Sequence, residues 1–142
     1  MSFSKKDGKN SPPRSSATAT SRLKISNLTR QTILAENAEV ARTSAARQKG
    51  LLGRTSLPEG GGLWIIPCES VHTFFMKFPI DLVYINRKNI VKKVRRNVGP
   101  WKLSACLSAH SIIELPVGAI DRSQTGPGDK IEFMPFETQD ET

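Results

Sequence analysis

Residues Val71–Asp81 read VHTFFMKFPID, with three phenylalanines and a methionine in eleven residues. At a period of two, Val71, Thr73 and Phe75 point one way, and His72, Phe74 and Met76 the other. A strand this apolar on both faces belongs in the middle of a sheet that is covered on both sides. Pro79 has no N–H to give a ladder, so the strand ends there. Asp81 then leads into a second apolar run, LVYI. These features predict an inner strand bracketed by His72 and Asp81, with ionisable groups at the edge of a dense core.

The flanking pattern supplies the rest of a sheet. LKIS and QTILAE surround Asn27–Arg30 and predict a hairpin. Ala38–Leu52 has alanines at 41, 45 and 46, and Gly53 could act as a C-cap, so a helix packed on the sheet is expected over 38–52. Leu57–Gly62 is a loop with three successive glycines. No Lys-Ser or Lys-Thr follows it, so it is not a phosphate-binding loop. LVYI and IVKKVRRNV flank Asn86–Asn89 as a second hairpin, and the charged second strand should lie at a sheet edge. Residues 99–111 form a long connection holding Trp101, Lys102, Cys106 and His110, which could fold as a lid. IIELPV is a further strand, Gly118 opens a helical turn, and KIEFMPF is the last strand.

The formal net charge is +8, but its distribution matters more than its size. Residues 1–30 carry seven Lys or Arg against one Asp, while the rest is nearly balanced. Residues 1–21 are polar and basic and are expected to be a disordered tail. A single domain is expected over 22–137, with a frayed end at 138–142. The basic balance is thus a property of the tail, and nucleic acid is not the expected partner of the core. No run of eighteen apolar residues exists, so no membrane span is expected. The first residues contain no apolar h-region, which makes a cytoplasmic location the expectation. Cys68 and Cys106 are too few for a disulfide framework and should be thiols.

GLLGR at 50–54, VHTFFMKFPID at 71–81, ELPVG at 114–118 and PGD at 127–129 recur in the order and spacing of one family. By these motifs the chain resembles the domain of unknown function 192 family, also called uncharacterised protein family 0127, over about Leu23 to Phe136. The resemblance implies an α+β fold: a small, mixed, mainly antiparallel sheet, partly closed like a barrel, with one packed helix carrying the Gly-Leu-Leu motif. It implies no established activity. Where the family often has Pro-Trp-Arg, this chain has Pro100-Trp101-Lys102, which lacks the planar guanidinium fork.

The candidate chemistry rests on few groups. Asp81 shares a face with Val83 and Ile85, so its carboxyl must be hydrogen-bonded, paired or protonated if buried. Glu114 alternates with Ile112 and Pro116 and could share a pocket with Asp81. Trp101 and Lys102 could stack on a ring-containing ligand. These residues, with His72 and Met76, form the expected ligand site of a binding module for a small polar or anionic ligand or a partner segment. One alternative is an enzyme using Cys68 with His72, or a carboxylate such as Asp81. Another is weak nucleic-acid contact through the basic tail and Arg87–Lys102. Cys68, His72, Cys106 and His110 repeat the pattern CxxxH, but structural zinc sites use shorter cysteine spacings. No metal and no cofactor are therefore expected.

Overall fold

A computed structural model describes residues 22–137. The expected tail at 1–21 and the frayed end at 138–142 lie outside the described residues. The described residues form nine strands and two short helices: β1 (Arg22–Asn27), β2 (Thr32–Ala41), α1 (Ser44–Lys49), β3 (Gly61–Ile65), β4 (Ser70–His72), β5 (Ile80–Ile85), β6 (Val91–Val98), β7 (Leu103–Ala105), β8 (Ser111–Leu115), α2 (Ala119–Ser123) and β9 (Ile131–Pro135).

Seven strands form one sheet in the order β6-β5-β8-β3-β2-β1-β9. Only β2 and β3 run parallel; the other neighbours are antiparallel. The sheet curls until its edge strands meet at one end. There Val91 N–H donates to the Asp129 carbonyl at 2.8 Å, and Gly128 N–H to the Val91 carbonyl at 2.8 Å. The result is a half-barrel with minor helical content. The expected mixed, mainly antiparallel, partly closed sheet is therefore present, but the helix contributes less than expected.

The two faces of the sheet carry separate cores. Inward-facing residues such as Leu34, Trp64, Val83 and Ile113 fill the barrel. Outward-facing residues such as Leu63, Leu82, Tyr84 and Ile112 are covered by the loops that leave the barrel. β5 and β8 are buried along their whole length, as a strand between two packed layers must be. Gly62 on β3 allows this closeness: a Cβ there would lie 3.1 Å from Leu115 and 3.3 Å from the Glu114 carbonyl.

Two expectations are overturned. The helix over 38–52 is reduced to Ser44–Lys49, because Ala38–Ala41 continue β2 and pair in parallel with Gly62–Ile65. Alanine's helix propensity yields here to burial, since Ala38 and Ala41 sit in the cores. GLLGR thus follows the helix instead of lying within it. There Leu51 is buried and the Arg54 guanidinium grips Glu39 of β2 at 2.7 and 3.1 Å.

The second correction concerns Val71–Asp81. It is not one inner strand. β4 ends at His72 and pairs only with β7, in a separate two-stranded ribbon. Residues 73–79 are a loop, and the inner strand begins at Ile80. Phe75 has φ 66° and is 70% exposed, so it does not face a core. An apolar run read by periodicity does not distinguish a buried strand from a loop that displays its side chains.

Candidate functional site

The ribbon has an inner and an outer face. Val71 and Ser104 point inward; Val71 joins the outer core, and Ser104 accepts the buried Tyr84 hydroxyl. Burial pushes that phenol up to about 12, so it remains a donor. By the same alternation, His72 and its partner Leu103 point outward. Leu103 is 70% exposed, and Leu107, just beyond β7, is 83% exposed.

At the end of this ribbon the chain makes two loops, 73–79 and 99–102. Thr73 joins them. Its N–H donates to the Lys102 carbonyl at 2.9 Å, and its hydroxyl donates to the Gly99 carbonyl at 2.7 Å. Its hydroxyl oxygen accepts from Lys102 N–H at 2.8 Å. Its carbonyl accepts from both Met76 and Trp101 N–H at 3.1 Å. A buried threonine thus ties backbone groups of both loops together, groups that water would otherwise have to serve.

This clamp holds Phe75 and Trp101 in left-handed backbone conformations, each with φ 66°. Bulky residues rarely adopt that region, at a cost on the order of 1–3 kcal/mol each. Trp101 is 61% exposed. Its ring meets Phe75 edge-on at 4.8 Å and Phe74 at 5.6 Å, and Phe74 stacks on His72 at 4.9 Å. Four rings therefore extend from the outward His72–Leu103 pair at this end of the ribbon, while Leu107 stands past its other end. Burial lowers the His72 pKa, and its Nδ1 has no hydrogen-bond partner among the described residues.

The expected site residues do not share one pocket. Asp81 and Glu114 stand on neighbouring strands one position apart, with Asp81 opposite Leu115 and Leu82 opposite Glu114. Side chains paired across a ladder share a face, so the two carboxyls project to opposite sides of the sheet. Asp81 points into the barrel end. One carboxyl oxygen accepts Asn97 N–H at 2.9 Å, and the other accepts Gly118 and Ile120 N–H at 3.1 Å each. Gly118, at φ 100°, carries no capping side chain of its own, so Asp81 caps α2 from another strand.

Glu114 lies in the outer core, fully buried. Among the described residues neither of its carboxyl oxygens finds a hydrogen-bond partner. Burial raises its pKa to about 8, and the positive charge of Arg54 opposes this only in part. Met76 is buried in the same layer and is core rather than surface. Cys68 is buried too, with its thiol on the Ser70 carbonyl at 3.1 Å, whereas His72 engages Phe74. Cys106 is half-buried and its sulfur meets the Ser108 hydroxyl at 3.3 Å. Among the described residues no three His, Cys, Asp or Glu side chains group as metal ligands would.

Trp101 and Lys102 are the expected site residues that remain well exposed. Thr73, Phe74 and Phe75 were absent from the sequence-based site. The available signal was a small polar residue between an imidazole and two phenylalanines, facing a Gly-Pro-Trp turn elsewhere in the chain.

A half-barrel with a displayed aromatic ribbon defines a small sheet protein with an outward-facing apolar surface. The chain belongs to the DUF192 family, described as "Uncharacterized ACR", whose profile matches residues 25–133. It is 30% identical over 113 residues to a UPF0127 protein of Thermococcus sibiricus, covering 75% of this chain and 72% of that relative. A crystal structure of a Novosphingobium aromaticivorans protein of unknown function superposes with a TM-score of 0.68 at 23% identity, covering 78% of this chain and 83% of the other. A Sinorhizobium meliloti protein put forward as a transcription regulator gives a TM-score of 0.70 at 20% identity, with 81% and 94% covered. These two likenesses concern the fold alone. Among the described residues no helix is long and apolar enough to cross a membrane.

Proposed function

We propose that the protein is a binding module whose working surface is the aromatic end of the β4–β7 ribbon, around the Trp101 loop, and whose partner is anionic with an apolar portion. The observation that carries this is the pair of exposed rings, Phe75 and Trp101, held 4.8 Å apart on two left-handed residues clamped by Thr73. Strained backbone that displays large apolar side chains destabilises the free protein, and a partner that covers those side chains offsets the cost. The loops are ordered before any partner arrives, so little conformational entropy remains to be lost on binding. Lys102 beside Trp101 supplies positive charge, which favours an anion. Asp81 and Glu114, expected in the same site, act instead as parts of the architecture.

Anilinonaphthalene sulfonate, an anionic ring compound, tests this directly. Native protein should bind it saturably, and Trp101→Ala or Phe75→Ala should weaken binding by about tenfold. Near-ultraviolet circular dichroism from Trp64, buried and bonded to Ser111, should stay unchanged. Absence of saturable binding, or binding by both variants as tight as that of the native protein, would contradict the proposal.

A further inference from the structure

We infer that the partner of this surface is the face of an anionic lipid bilayer, an inference that rests on the aromatic ribbon end being the binding surface. The first ground is the mixture of exposed side chains. Phe75 and Trp101 are joined by the aliphatic Leu103, as exposed as Phe75, and, past the other end of β7, by Leu107, the most exposed of the four. A nucleobase stacks on the rings but gains little from two leucines. Acyl chains and the headgroup boundary accept all four, and tryptophan favours that depth because its ring is amphipathic.

The second ground is charge. Between residues 69 and 110 there are eight Lys or Arg against two acidic residues, Asp81 and the exposed Glu69 at the Leu107 end of the ribbon. The Asp81 carboxyl is buried and committed to three backbone N–H groups, so the outward balance remains strongly basic. Basic groups border the apolar line. Lys102 adjoins Trp101, the Lys93 ammonium donates to the Ala105 carbonyl at 2.8 Å, and Arg95 donates to the Leu103 carbonyl at 3.1 Å. The latter two therefore lie along the free edge of β7 beside Leu103. Basic residues framing exposed Trp, Phe and Leu suit a surface with anionic headgroups above hydrocarbon. Shallow docking of this kind needs no spanning segment.

The test is co-sedimentation of the full chain with vesicles of phosphatidylcholine alone and of phosphatidylcholine with an equal part of phosphatidylglycerol. Partitioning should be at least about tenfold stronger on the anionic vesicles and should weaken as salt is added. Trp101→Ala and the double change Leu103→Ser, Leu107→Ser should each lower it by about fivefold or more, since both remove apolar area from the docking face. Tryptophan emission should shift to shorter wavelength on binding in native protein and not in Trp101→Ala, where Trp64 alone reports. Three results would overturn the inference: no partitioning, equal partitioning on both vesicles, or unchanged partitioning of the variants, which would leave the basic residues alone responsible. Tight binding of a single-stranded oligonucleotide without vesicle binding would overturn it as well. If the sulfonate dye binds at Trp101 while vesicles do not, only the lipid assignment fails; if neither binds, the binding surface itself fails.

Discussion

The barrel wall and the β4–β7 ribbon treat the same kinds of residue in opposite ways. In the wall, Ile113 and Leu115 of β8 point into a packed interior, and even the carboxyls of Asp81 and Glu114 are buried. In the ribbon, Phe75, Trp101 and Leu103 stand in solvent while the threonine beside them is buried. Burying apolar area is the main favourable term in folding, so a fold that hides two carboxyls while displaying two large rings gives up stability twice. The wall repays the burial of Asp81 with three backbone contacts, and Glu114 meets its own burial by a pKa raised to about 8. Among the described residues the ribbon has no such return, and in the binding role proposed above a partner supplies it.

The largest way to break the contrast is at Asp81. Asp81→Ala leaves the N–H groups of Asn97, Gly118 and Ile120 without their acceptor, and should cost at least about 3 kcal/mol in denaturant unfolding. Dye binding by the fraction that remains folded should be unaltered. A loss of dye affinity in that fraction would place Asp81 in the site after all.

Glu114 sharpens the same side. Its carboxyl ionises near 4.5 in the unfolded chain and only near 8 in the folded one. Between those values the folded state holds the extra proton, so stability falls as pH rises, by at most about 1.4 kcal/mol per unit. From pH 5.5 to 7 the fall should amount to about 2 kcal/mol, and Glu114→Gln should flatten it. A stability difference between native protein and Glu114→Gln that rises across this window, with the lowered His72 and His110 pKa values common to both, would show that the carboxyl is ionised and partnered.

Thr73 links the two regions. Thr73→Val keeps the shape but leaves Gly99 C=O and Lys102 N–H without the hydroxyl, and should cost about 1.5 kcal/mol. Unlike Asp81→Ala, it should also weaken dye binding, because the two rings lose their common clamp. The smallest stability effect belongs to Trp101→Ala, within about 0.5 kcal/mol, despite its full effect on binding. A large stability loss there would make the ring a packing element.

Much of the wall was legible in the sequence. The apolar runs of LVYI, IIEL and KIEF mark strands correctly, and the charges of IVKKVRRNV mark an edge, as β6 proves to be. The face of each carboxyl was not legible, because it depends on the register between β5 and β8, which no local pattern records. The ribbon was misread for a related reason. VHTFFMKF has the composition of a core strand, and only contacts between Thr73 and residues some thirty positions away turn it outward. The short helix was overextended because alanines suit a helix and a crowded sheet alike.

The central claim is that this chain binds its partner with the outward rings of the ribbon and not with its buried carboxyls. Amide chemical shifts of labelled native protein, followed while anilinonaphthalene sulfonate is added, test it most directly. The shifts should move at residues 72–76 and 99–107 and stay fixed around Asp81, Gly118 and Glu114. Movement centred on those carboxyls, with the ribbon silent, would contradict it.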